Sequence, residues 1–168
     1  TSLEPAGNIF IPEEVLSKIV VGLVRNAIEN TPDNGLILIS TKEEDEGPVL
    51  EVKDHGTGIT EENQRLIFEN YFTAYEPIQY ASRKPYDFKA GGKGFDLIRL
   101  KIFSERFHFK LDMTSVRCKY LAESDRTGTN SLETCSNCNN MDACPLNGGT
   151  TMTVRFTPAG KSQEQETK

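Results

Sequence analysis

Two stretches of this chain, FHFKLDMTSV (107–116) and TTMTVRFT (150–157), alternate apolar and polar residues over most of their length. A repeat of two puts every second side chain on the same side of an extended backbone, so each stretch is a strand with one buried and one wet face. The spacing predicts Phe107, Phe109, Leu111 and Met113 on one face of the first strand, and Met152, Val154 and Phe156 inward from the second. A sheet with one apolar face needs a cover. Residues 12–30 supply one, because apolar pairs recur there at 15/16, 19/20, 23/24 and 27/28 and make a wide stripe along a helix. Pro12 suits its first turn, Glu13 and Glu14 sit at the positive end of the helix dipole, and TPDNG (31–35) stops it. Gly22, Asn26 and Asn30 fall on one flank, beside the stripe.

LILIST (36–41) and VLEVKD (49–54) read as a hairpin of strands around the acidic turn KEEDEGP. ITEENQRLIFENYF (59–72) is helical in pattern, with Thr60 as its N-cap, and residues 73–91 have no periodicity and predict a long loop. GFDLIRLKIFSERF (94–107) resumes helical spacing. Helix, two strands, helix, loop, helix and two further strands predict an α+β two-layer sandwich, with helices packed on one face of a mixed, largely antiparallel sheet. The 168 residues suit one domain over 1–158, carrying a cysteine-rich insertion at about 117–147 and ending in a disordered polar tail at 159–168.

Charge narrows the functional classes. Nineteen Lys and Arg against 25 Asp and Glu leave a net charge of −6, the wrong sign for a surface that must neutralise nucleic-acid phosphates. No run approaches the roughly 18 to 20 apolar residues of a membrane span, and the N-terminus lacks the basic-then-apolar pattern of a signal peptide. With two histidines, His55 and His108, a His-rich metal centre or a Ser-His-Asp arrangement has almost no raw material. Arg83, Lys84, Lys89 and Lys93 nevertheless form a local basic patch that suits a small anion.

Three glycine clusters stand beside this patch. DHGTGI (54–59) ends a strand with an acid followed by glycines at the second and fourth positions after it. Asp54 there can accept a hydrogen bond from an exocyclic amine, while Gly56 and Gly58 let backbone pass close to a flat ring or phosphate; an ordinary turn uses the same residues. AGGKGF (90–95) opens a helix, so free N–H groups, the helix dipole and Lys93 can converge on an anion; a hinge is the alternative. NGGTT (147–151) precedes the last strand. No G-x-x-x-x-G-K-[ST] is present, and GKGFDL lacks the third glycine of a dinucleotide fingerprint.

The order of these features, an Asn-bearing helix, D-x-G-x-G, an aromatic-rich helix, a glycine-rich lid and G-T-T on a strand, resembles the ATP-binding catalytic domain of sensor histidine kinases. These belong to the wider class that includes DNA gyrase, the ninety-kilodalton heat-shock chaperone and MutL. The resemblance covers about 10–116 and 147–158. It implies that Asn26, in NAIENTPDNG, is the catalytic amide that coordinates Mg²⁺ on the ATP phosphates, with Asn30 in the same nucleotide-binding box. Magnesium takes hard oxygen ligands and keeps waters, so one amide oxygen from the protein is enough. Asp54 would hold the adenine amino group, Gly56 and Gly58 would shape the floor, Phe68 and Phe72 would pack the base of the lid, Gly92, Lys93 and Gly94 would meet the phosphates, and Thr150 would reach the adenine side. Gly22 stands where hydrolysing relatives carry a water-activating Glu, so hydrolysis without an acceptor should be poor. Glu29 and Asn30 replace a common Lys and Tyr, and Asp96 replaces a glycine.

Neither histidine lies in a phosphoacceptor sequence. The resemblance therefore implies transfer of the γ-phosphoryl group to a histidine on a separate dimerisation domain, in a cytoplasmic, homodimeric sensor that hands the group to a response regulator. A gyrase- or chaperone-type ATPase is the alternative. Nucleic acid and membrane are not expected partners of this domain. Cys118, Cys135, Cys138 and Cys144 lie in a polar insertion that the family does not usually carry. In a reducing cytosol such a set suits structural Zn²⁺. An iron–sulfur cluster and unligated thiols are the other readings, and a non-enzymatic metal-binding module is the further functional alternative.

Overall fold

The computed structural model describes residues 1–31, 35–67, 95–118 and 148–159. The elements in chain order are β1 (Ser2–Leu3), α1 (Glu13–Asn30), β2 (Ile37–Glu44), β3 (Gly47–Asp54), α2 (Glu61–Gln64), α3 (Phe95–Phe107), β4 (Lys110–Val116) and β5 (Gly149–Arg155). The sheet order is β1-β2-β3-β5-β4, with β1 parallel to β2 and every other pairing antiparallel. This is the expected mixed, largely antiparallel sheet.

The apolar stripe of α1 lies on it as the periodicity requires. Ile19, Leu23 and Ala27 of α1 and Leu100 of α3 are buried with Leu50 and Val52 of β3, Met152 and Val154 of β5, and Phe109 and Phe156 beside them. Burying each large side chain is worth about 1.5–3 kcal/mol, which is why the two helices share one face. Leu111 and Met113 of β4 face the same core, while Lys110, Asp112 and Thr114 face water.

Two expectations need correction. The strand anticipated from residue 107 begins at Lys110, because Phe107 is the last residue of α3. Its ring packs edge-on against Phe103 one turn earlier, with centroids 6.2 Å apart, so helical spacing outcompetes the apparent alternation. His108 then turns the chain at φ +53°, and the Phe109 N–H returns to the Ser104 carbonyl at 3.2 Å, a Schellman-type closure. The hairpin turn is also tighter than KEEDEGP suggests. Strand pairing runs to Glu44 opposite Gly47, leaving only Asp45 and Glu46 between the strands.

The N-terminal strap has no counterpart in the residue pattern. Ser2 and Leu3 pair with Ser40 and Thr41, the Gly7 N–H donates to Glu43 Oε2 at 2.6 Å, and Ile9 bridges to Pro158. Thr60 caps α2 as expected, its hydroxyl accepting from the Asn63 N–H. The helix anticipated over 59–72 is shorter than its pattern suggests, because α2 ends at Gln64 with Arg65 as its C-cap and 65–67 form a turn; 68–72, the loop at 73–91, most of the cysteine-rich insertion and most of the tail lie outside the described residues.

Candidate functional site

The end of β3 is a knot of backbone. Asp54 is 6% exposed, and its Oδ1 accepts the N–H of Gly56 at 2.9 Å and that of Thr150 at 3.1 Å. Burial in this position pushes the carboxyl up from 3.8 to about 6, with the backbone amides of Gly56, Thr150 and Asp54 itself pulling the other way. Because both donors engage Oδ1, Oδ2 can receive a donor from a ligand. The next residues are stitched to their surroundings: His55 N–H to the Leu36 carbonyl at 3.0 Å, Thr57 N–H to the Asn30 carbonyl at 3.1 Å, and Cys118 N–H to the Thr57 carbonyl at 2.8 Å.

The glycines have a reason internal to the protein. A Cβ at Gly56 would stand 2.0 Å from the Asn30 carbonyl oxygen, and one at Gly58 (φ +64°) 1.8 Å from that of Val116. Three chain segments can meet here only because those positions carry no side chain.

Thr150 is buried, and its hydroxyl lies 2.9 Å from Ser115 Oγ. Ser115 also accepts the Ile59 N–H at 2.8 Å, contacts the Gly149 carbonyl at 3.1 Å, and offers its own carbonyl to the Gln64 amide at 3.0 Å. Ser115 and Gln64 belong to no motif of the sequence. Ser115 did leave a signal, because it shares the inward parity of Leu111 and Met113 and is a polar residue in an apolar register.

The second half of the site is the flank of α1. Asn26 Nδ2 is buried without a hydrogen-bond partner, and it is the one such side-chain atom found among the described residues. A buried amide left unpaired is unfavourable by about 1–3 kcal/mol, so it marks a position that a ligand would complete. Asn30 turns inward instead, its Nδ2 donating to the Asn26 carbonyl at 2.7 Å while its own carbonyl holds Thr57. Gly22 faces α3, where Asp96 is 8% exposed and paired with Arg25 and Arg99.

Thus the structure brings Asn26, Asn30, Asp54, Gly56, Gly58 and Thr150 into one connected region, while Gly92, Lys93 and Gly94 lie outside the described residues. So do Cys135, Cys138 and Cys144. Cys118 is a half-buried free thiol, and among the described residues no three His, Cys, Asp or Glu side chains group to hold a metal. No described helix is long and apolar enough to cross a membrane.

Helices over one face of a five-stranded mixed sheet are the architecture of histidine-kinase-type ATPases. The family model described as histidine kinase-, DNA gyrase B- and HSP90-like ATPase matches residues 12–160, and the chain belongs to that family. Among curated relatives, the adaptive-response sensory kinase SasA of Gloeothece citriformis is 37% identical over 65 residues, covering 38% of this chain and 16% of its own length. Sporulation kinase E of Bacillus subtilis is 33% identical over 69 residues, covering 40% of this chain and 9% of its own length. The chain thus aligns with only a small part of these relatives. In fold it is similar to the mycobacterial sensor histidine kinase MprB, with a TM-score of 0.57 at 18% identity over 94% of this chain and 80% of that one. It also resembles full-length ShkA, solved in complex with AMPPNP, with a TM-score of 0.56 at 17% identity over 94% of this chain and 25% of the other.

Proposed function

We propose that this chain binds MgATP and serves as the catalytic part of a cytoplasmic, homodimeric sensor histidine kinase, delivering the γ-phosphoryl group to a histidine on a dimerisation domain outside the given residues. A response regulator would take the group from there. The observation that carries the reading is the pair of incomplete polar groups in one region: Asp54, with an oxygen open to an amino donor, and Asn26, whose buried amide has no partner.

The division of labour follows from their chemistry. Asp54 accepts from the exocyclic amine of adenine, which selects an amino-bearing purine over one with a carbonyl there. Rotation of the Asn26 amide about its last bond exchanges nitrogen for oxygen, so the side chain can offer the hard ligand that Mg²⁺ requires. Magnesium, bound with ATP, would neutralise phosphate charge. Gly92, Lys93 and Gly94 are proposed to meet the phosphates, and Thr150 to line the adenine side through the hydroxyl it shares with Ser115. Phosphoryl transfer asks little covalent chemistry of a protein, so positioning is what this domain contributes.

A clamp-type ATPase would need a carboxylate free to activate water. The acid beside Gly22 is Asp96, and two arginines hold it. For the cysteine segment, the spacing of Cys118, Cys135, Cys138 and Cys144 supports a proposal of structural zinc, which metal-free purified protein in elemental analysis would overturn.

Calorimetric titration tests the main reading. MgATP should bind the parent, Asn26→Ala should abolish the magnesium dependence, and Asp54→Ala should erase the preference for ATP over GTP. Both variants binding as the parent does would overturn the site. Added to a histidine-bearing helical hairpin, the parent should phosphorylate it.

A further inference from the structure

We propose that Asp96 is a positioning residue: paired with Arg25 and Arg99, it clamps the first turn of α3 onto α1 and so holds the stretch of α1 that carries Asn26. The inference rests on the nucleotide reading above and adds a part to it.

Asp96 is 8% exposed, and a carboxylate so buried is unfavourable unless well paired. Its pairing crosses the helix interface. Arg25 of α1 donates through Nη2 to Oδ2, and Arg99, one turn along α3, approaches Oδ1 at 3.6 Å. Each carboxylate oxygen therefore faces a different guanidinium. An acid serving only the α3 dipole needs no partner from another helix.

Gly22 leaves room beside the pair without being required for it. A Cβ at that position would sit 3.8 Å from Asp96 Cβ, so α1 presents a bare surface where the carboxylate crosses to Arg25. Arg25 lies within 4.0 Å of Glu29 on its own helix, which keeps the guanidinium extended along α1. Along the chain, Arg25 is next to Asn26, and Asp96 follows Gly94 by two residues. The ion pair thus fixes the helical position next to the proposed metal ligand. Guanidinium–carboxylate contacts are directional as well as attractive, which suits them to setting an orientation.

A purely electrostatic role makes the opposite prediction. If Asp96 acted only by repelling phosphate, its neutralisation would free two guanidinium groups and tighten MgATP.

The test is a double-mutant cycle on the whole 168-residue chain, titrating MgATP and adenosine into the parent, Asp96→Asn, Arg25→Gln and the double variant. Each single change should weaken MgATP roughly tenfold, the common scale for losing a group that orients a ligand-binding residue. Adenosine affinity should stay at the parent's value. The double variant should be no weaker than the worse single, because both changes break one interaction. The charge-reversed pair, Arg25→Asp with Asp96→Arg, should recover part of the loss. Tighter or unchanged MgATP binding by Asp96→Asn, additive effects, or parallel loss of adenosine would overturn the clamp. A parent that binds adenosine but not MgATP, or neither ligand, would overturn the nucleotide reading and the clamp with it.

Discussion

The two ends of the proposed site are built from different materials. At the Asp54 end the contacts are backbone to backbone or backbone to a single carboxylate, and glycines let three segments close to touching distance. At the Asn26 end side chains do the work: Arg25, Asp96 and Arg99 bind α1 to α3 across a half-exposed surface. A backbone knot fixes geometry that few substitutions survive, whereas an ion-paired seam tolerates change and responds to charge. Under the proposed reading, the rigid end would recognise a flat base and the ion-paired end would lie toward the phosphates.

The sharpest way to break the comparison is at the knot. Gly58→Ala would drive a methyl group into the Val116 carbonyl at a φ of +64°. It should cost about 3 kcal/mol or more of stability, read as a shifted urea midpoint. A normal midpoint would mean that the knot is looser than its contacts imply.

Asp54→Asn comes next. The carboxamide oxygen can still accept from Gly56 and Thr150, so the fold should hold while MgATP binding weakens by about 10- to 100-fold, the worth of a hydrogen bond to a charged group. The same carboxyl gives a pH signature. Its value is raised from 3.8 to about 6 on folding, so between these limits the native state holds a proton that the unfolded chain has lost. Stability should therefore fall as pH rises through that window and level off above it. An adenine amino group favours the ionised form, so MgATP affinity should drop as pH falls below about 6. Both dependences should flatten in Asp54→Asn, which paired denaturation and titration series would reveal.

Ser115→Ala removes the hydroxyl shared by Ile59, Gly149 and Thr150, and about 1 kcal/mol of stability should go with it. The smallest effect belongs to the seam. A methyl group at Gly22 meets Asp96 only at ordinary contact distance, so Gly22→Ala should leave MgATP binding intact and raise helix stability by up to about 1 kcal/mol. Loss of stability there would show that the seam is packed as tightly as the knot.

Much of this was legible in advance. The four-residue repeat of α1, the alternation at 150–157 and the cap at Thr60 are local properties of the chain, and the structure follows them. Asp54 could be named because acid-glycine-glycine spacing is a pattern within a few residues, whereas Asn26 could be named only through the family resemblance that the order of the motifs carries. Phe107 misled because aromatic residues two apart satisfy a strand, while the ring four residues earlier satisfied a helix better.

Periodicity and turn chemistry determined α1, α3, most of the strands and the acid-glycine turn after β3, since each depends on neighbours along the chain. Only the folded chain decided that Gly58 is a glycine because Val116 passes against it, that Ser115 joins two loops, and that Asp96 belongs to Arg25 rather than to its own helix alone. Those contacts join residues dozens of positions apart, and a close approach or a buried ion pair leaves no mark on either partner until packing brings the two together.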